Sequence, residues 1–257
     1  MEEKLKILFD FLKVNRSYNK NLQIRYYSSI INPHKNITNK IVSLLYNIAN
    51  TQSQPRIDYL ALFYKKIYEN IECLESFDRF LSLIVPNAQK NYNSLFQGMK
   101  EQSGWGDKTS ALFTKSIFHL HNNEYPSELK IWNDVPSKIN KNDDFYLPVD
   151  SVIISIFNQF NLEQNWNFTS INKQIKQYYS RNDIEVWDDL WFWGFITQMG
   201  TGNKRTFEWN ENKYWTLQES DKNQESIIDI RIKSEQFLSL IKNNNTAIKI
   251  VRTKFSN

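Results

Sequence analysis

The sequence predicts an all-α protein: mainly helical, arranged as two helical lobes around a cleft, with a small β-hairpin near 206–217 and a helix-hairpin-helix motif near 91–120. Three observations carry this reading. Apolar residues recur at helical spacing through most of the chain, prolines fall in the gaps between those runs, and two glycine pairs mark tight turns. The first runs are Leu5, Leu8, Phe9 and Leu12, then Ile41, Leu44, Leu45 and Ile48, then Leu60, Phe63, Tyr64 and Ile67. Helical patterns follow over 76–84, 92–100, 108–120, 151–161, 171–179, 183–198 and 224–242. The breaks contain Pro55, Pro86, Pro126, Pro136 and Pro148, which cannot continue a helix.

The exception to the helical period is TFEWNENKYWTL, in which aromatic segments flank Asn210, Glu211 and Asn212 and read as a hairpin or an irregular arm. Residues 121–146 have weak periodicity and read as a surface excursion, because helical patterns resume on both sides without a Gly/Ser spacer. The 257 residues therefore read as one domain.

Composition narrows the function. Hydrophobic residues make up 40% of the chain and aromatics 15%, enough apolar surface to offset the entropy of ordering a packed core. The longest apolar runs, such as SVIISIF and DLWFWGFI, fall far short of the roughly 20 residues a membrane span needs. The single cysteine, Cys73, has no internal disulfide partner, and MEEKLKILFDFLK lacks the features of a secretion signal; both point to a soluble, cytoplasmic protein. A net charge of +4 is compatible with a polyanionic partner without requiring one. One Cys and three His are too few for an iron-sulfur cluster or a zinc finger, and His119 and His121 diverge on a helix, so neither metal nor cofactor is expected.

The chemistry concentrates in SGWGDKTSALF, residues 103–113. A helix ending before Ser103, a turn through Gly104, Trp105 and Gly106, and a helix starting near Asp107 expose consecutive backbone amides, which suit a DNA phosphate and read no base. Lys108 falls in the first turn of the new helix, where the positive end of the helix dipole disfavours an ammonium and eases loss of its proton. A neutral amine is what nucleophilic attack requires. The same residues also suit an ordinary helix-helix turn with a solvated lysine. A second motif, LPVDSVI, places Asp150 at the N-cap of an apolar helix; capping explains it, and a capping carboxylate is also ionised and aimed, as stabilising a sugar cation demands.

Together SGWGDKTSALF and LPVDSVI resemble the helix-hairpin-helix base-excision DNA glycosylases, particularly the bifunctional 8-oxoguanine type. Gly104, Gly106, Lys108 and Asp150 match that family's hairpin and catalytic-aspartate pattern. The resemblance implies that Lys108 attacks the sugar C1′ as the glycosidic bond breaks, that Asp150 stabilises positive charge or accepts a proton, and that a Schiff base on Lys108 permits abasic-site (AP) lyase cleavage. The partner it implies is double-stranded DNA carrying a damaged base, oxidised guanine first; the long insertion and the aromatic segment, where the chain diverges from the family, suit instead a modified base of invading DNA, and a monomer is the default expectation. The 42 residues from Lys108 to Asp150 are more than the family usually has there, and the histidine that often follows the aspartate is replaced by Ser151.

Such enzymes extrude the target nucleotide between aromatic walls. EVWDDLWFWGFITQ supplies Trp191 or Phe192 for stacking and Gln198 or Asp188 for hydrogen bonds, whereas Trp187 and Trp191 also fit a core. Trp105 is expected to be exposed and to touch DNA or buttress the turn. The second glycine pair, Gly200 and Gly202, reads as a helix end, with Lys204 and Arg205 beside it to hold the DNA backbone by charge. A non-catalytic DNA-binding module, with Lys108 as a mere phosphate contact, is the competing class.

Overall fold

The computed structural model describes residues 1–141, 143–202, 205–217 and 223–242. They are mostly helical, with one two-stranded antiparallel sheet, as the sequence predicts. The chain divides into two compact units, one joining residues 1–22 to those from Val149 onward and the other running from Gln23 to Pro148.

Helix α1 (Glu2–Val14) buries Leu5, Leu8, Phe9 and Leu12, the face its spacing predicts. Helix α2 (Arg16–Ile31) has no apolar stripe in its first half, and it contributes residues to both units.

In the second unit, α3 (Ile37–Ala49) and α4 (Ile57–Glu69) are followed by a 3-10 turn at Ile71–Glu75 and by α5 (Phe77–Ile84), α6 (Tyr92–Lys100) and α7 (Asp107–His121). Helix α7 is the centre of this unit: from Thr109 to His121 only Leu112 escapes full burial. Gly98 lets α6 approach the end of α5, since a Cβ there would lie 2.2 Å from Val85 Cγ2.

Residues 121–146 are not the surface excursion their irregular pattern suggests. Tyr125, Leu129, Ile131, Trp132 and Phe145 are buried, and the Trp132 ring packs 5.9 Å from Phe77 and 5.6 Å from Phe80. The period is lost because this segment packs largely as irregular chain. Its acids finish the helices already made. Asp134 accepts from the amides of Phe77 and Asp78 at 2.9 and 3.0 Å, and Asp143 from those of Tyr92 and Asn93 at 3.0 and 2.6 Å. Each carboxylate satisfies two donors that a helix start leaves open.

In the first unit, α8 (Ser151–Phe160), α9 (Phe168–Lys176), α10 (Ile184–Trp187) and α11 (Asp189–Ile196) are followed by strands β1 (Gln198–Met199) and β2 (Thr206–Phe207), then α12 (Glu211–Thr216) and α13 (Gln224–Ile241). Gly194 allows α11 to sit on α8, its missing Cβ lying 2.6 Å from Ile156 Cδ1. The strand pair, Gln198 opposite Phe207 and Met199 opposite Thr206, takes its second strand from the start of 206–217 and its first strand from upstream of that stretch. Asn210 accepts from the Lys213 amide at 3.1 Å and caps a helix where the sequence suggested the hairpin's turn. Gly200 and Gly202, with φ of +73° and +57°, turn the chain after β1 instead of ending α11, which closes at Thr197. No helix among the described residues is long and apolar enough to cross a membrane, and no group of three or more metal-ligating side chains forms among them.

Candidate active site

The predicted site residues form two clusters, one in each unit. The first is the hairpin between α6 and α7. Gly104 has φ of +81°, and a Cβ on it would come within 2.8 Å of the Leu60 backbone nitrogen, so both its conformation and its contact require glycine. Its carbonyl accepts from Gln52 Nε2 at 3.2 Å. Gly106, at the N-cap of α7, is extended and exposed, and an added Cβ would meet nothing within 4 Å. Thr109 Oγ1 reaches back to the Gly106 amide at 3.1 Å, and Lys100 pairs with Asp107 across the turn at 2.7 Å.

Lys108 is half-buried in the first turn of α7. Its Nζ donates to both the carbonyl and the hydroxyl oxygen of Thr51, each at 2.9 Å. Both acceptors favour the ammonium form. Trp105, expected outside, is buried: its ring lies 5.4 Å from Phe63 and 5.9 Å from Phe113, so it buttresses the hairpin from beneath and offers DNA no face.

The second cluster surrounds the N-terminus of α8. Asp150 Oδ1 accepts from the amides of Val152 and Ile153 at 2.9 and 3.1 Å, and Oδ2 accepts from the Trp191 indole at 3.1 Å. The carboxylate is thus fixed at both oxygens. Trp191 is half-buried and stacks on Phe195, centroids 5.0 Å apart and 14° from parallel. Arg205 donates to Gln198 Oε1 at 3.0 Å and to Ser151 Oγ at 2.8 Å. Gln198 in turn donates to the Val152 carbonyl at 3.0 Å.

Two of the expected base-pocket residues are placed otherwise. Phe192 is fully buried, edge-on to Trp193 at 5.0 Å, because α11 is apolar on every side. Gln198 is also fully buried and uses both ends of its amide to tie Arg205 to α8, leaving none for a base. Asp188 is buried as well. Arg205 is a partial correction, since two of its donors point inward to side chains rather than to a phosphate. Lys204 lies outside the described residues. The carboxylates near the motifs other than Asp150 are engaged in the second unit: Asp107 with Lys100, Asp143 as the cap of α6, and Asp144 accepting from the Tyr146 hydroxyl at 2.6 Å.

Thr51, Ser151, Phe195 and Lys213 belong to these clusters and were not singled out in the sequence. Thr51 is 57 positions from Lys108 and carries no local signal. Lys213, whose Nζ lies 5.1 Å over the Phe195 ring, sits in the segment whose helix the sequence conceals. No protein-family model, curated protein or solved structure matches this chain.

Proposed function

We propose that the chain is a DNA glycosylase of the helix-hairpin-helix type with AP lyase activity, acting as a cytoplasmic monomer on a damaged base, oxidised guanine first. The observation that carries the reading is the hairpin: Gly104 forces the turn, Gly106 leaves its backbone uncovered, and Lys108 follows at the start of a helix. The Trp105 and Gly106 amides are bonded within the turn, to the Gln102 carbonyl and to Thr109 Oγ1, so what the turn offers a phosphate is the positive end of α7 with a lysine in its first turn. Asp150 supports the reading as a carboxylate held rigid at both oxygens, suited to a sugar cation.

In this mechanism the Lys108 amine, freed of one proton, adds to C1′ while the C1′–N bond breaks. The base leaves with the bonding pair and takes up a proton. Asp150 stabilises the positive charge that develops on the sugar. The nitrogen then carries two protons: it loses one, its lone pair forms the C=N bond as O4′ leaves C1′ and takes up a proton, and the resulting protonated Schiff base loses a C2′ proton so that β-elimination expels the 3′ phosphate. Because Thr51 holds the ammonium form, the lysine must first release that residue.

The same pair of bonds favours a second reading, a non-catalytic DNA-binding module in which Lys108 is a charged tether. Borohydride treatment with 8-oxoguanine and abasic duplexes separates the two. The glycosylase reading expects base release and a covalent adduct, both lost in Lys108→Gln with DNA affinity largely kept. No base release from a panel of modified duplexes, with a weakened salt-dependent affinity in Lys108→Gln, selects the binding module. Release from a modified base of invading DNA but not from 8-oxoguanine changes the substrate and keeps the chemistry.

A further inference from the structure

The α8 cluster holds a cation, Lys213, that neither the sequence motifs nor the proposed chemistry uses. Lys213 on α12 and Arg205 before β2 are two cations set beside one aromatic stack. Lys213 Nζ lies 5.1 Å over Phe195, whose other partner is Trp191 at 5.0 Å. Arg205 is anchored on Ser151, at the start of α8, and on Gln198 of β1, which is itself bonded to the Val152 carbonyl of α8. Neither cation has a carboxylate partner among the described residues. Lys213 has no hydrogen-bond acceptor there, and Arg205 has used two of its five N–H bonds.

Both side chains are half-buried, so the like charges cost more than they would in open water. Burial, and then the charge of Arg205, push the Lys213 ammonium down from its ordinary range. A site strained in this way is relieved by an anion. Next to Lys213 is a π-surface: the half-exposed Phe195 ring, stacked on the half-exposed Trp191. Two cations with no carboxylate partner among the described residues, set with aromatic rings, match the chemistry of a nucleic-acid strand, whose phosphodiester takes the charge while its bases stack. A free phosphate would use the cations and leave the rings idle.

We propose that Lys213 and Arg205 form a phosphodiester subsite beside the Trp191–Phe195 stack, holding a DNA strand next to an unstacked nucleotide. The subsite rests on the DNA-glycosylase reading for its DNA partner, and Lys213 takes no part in the bond-breaking steps.

Fluorescence anisotropy over a range of NaCl concentrations tests it, with labelled single-stranded DNA, abasic duplex DNA and an RNA strand as probes. The full chain is compared as wild type, Lys213→Gln and Lys213→Arg, with near-UV circular dichroism confirming the fold. Lys213→Gln is expected to make the slope of log K against log salt shallower by about one and to weaken DNA binding on the order of five- to tenfold near 0.1 M salt. Lys213→Arg restores both. An unchanged slope in Lys213→Gln overturns the subsite, as does tighter binding of inorganic phosphate alone than of the DNA strand. Tighter binding of the RNA strand overturns the DNA assignment. The glycosylase reading fails separately, by absence of base release and of an adduct at Lys108 in the wild type.

Discussion

The Trp191 indole donates to Oδ2 of Asp150 at 3.1 Å, so a residue 41 positions away sets the direction of a helix-capping carboxylate. Trp191→Phe preserves a ring to stack on Phe195 and removes this donor together with part of the indole's stacking surface. A hydrogen bond to a charged group at a half-buried site is worth about 1 kcal/mol or somewhat more. Urea unfolding is therefore expected to report a loss of that order, and single-turnover base release, where the proposed chemistry holds, to slow more than binding weakens. Equal stability in the two proteins counts against the bond.

The two hairpin glycines separate under substitution. Gly104→Ala places a side chain at φ of +81° and a Cβ 2.8 Å from the Leu60 backbone nitrogen, and it is expected to lose about 2 kcal/mol or more. Gly106→Ser meets open space, and serine is a better N-cap, so its melting temperature should match or exceed that of wild type. If the start of α7 binds phosphate, the added hydroxymethyl group weakens DNA binding despite the intact fold. Normal affinity in Gly106→Ser removes the phosphate role from that position.

His121 gives the second unit a pH dependence with a definite sign. Its Nδ1–H donates to the Ile117 carbonyl at 2.7 Å, and Nε2 accepts from the amides of Ile131 and Trp132 at 3.3 and 3.1 Å. Burial lowers its pKa from 6.5 to about 4, so the unfolded chain binds this proton first as pH falls. Stability from the neutral ring is complete above 6.5 and drains away down to about 4, a difference of about 3 kcal/mol. Denaturant midpoints at stepped pH should show this fall in wild type and a flatter profile in His121→Gln. Parallel profiles refute the assignment.

Asp134 acts with the opposite sign. Burial favours its neutral form, but the amides of Phe77 and Asp78 and the Lys90 ammonium outweigh this and hold its pKa below the ordinary 3.8. Its contribution is present above that value and lost as pH falls further. Asp134→Ala should cost about 1 kcal/mol at pH 7, the size of a lost helix cap, and markedly less at pH 3. A cost independent of pH means the carboxylate's charge is not what caps α5.

The legibility of this fold in its sequence follows how each segment is packed. Helices that bury one stripe, such as α1, α3 and α4, show their apolar residues at the spacing they use. Helix α2 does not, because its polar first half is tied in by a part-buried ion pair and a buried hydrogen bond: Arg16 meets Glu185 at 3.0 Å, and Asn19 donates to Asp189 at 2.7 Å. Trp132 and Phe145 are as buried as any helical residue but come from irregular backbone, which has no period to detect. The hairpin and the Asp150 cap are legible because glycine conformation and capping are local. Trp105 misleads for the opposite reason: a tight turn suggests exposure, and whether space exists beneath it depends on α4 and α7.

The first unit combines residues 1–22 with those from Val149 onward, and this has a consequence for synthesis on the ribosome. Helix α1 packs against α13, which emerges some 200 residues later, roughly 10–40 s at ordinary elongation rates. Through that interval Leu5, Leu8, Phe9 and Leu12 have no α13 to cover them, whereas the stretch from Gln23 to Pro148 is translated as one uninterrupted run. The nascent chain thus completes the unit bearing Lys108 before it has the means to finish the one bearing Asp150.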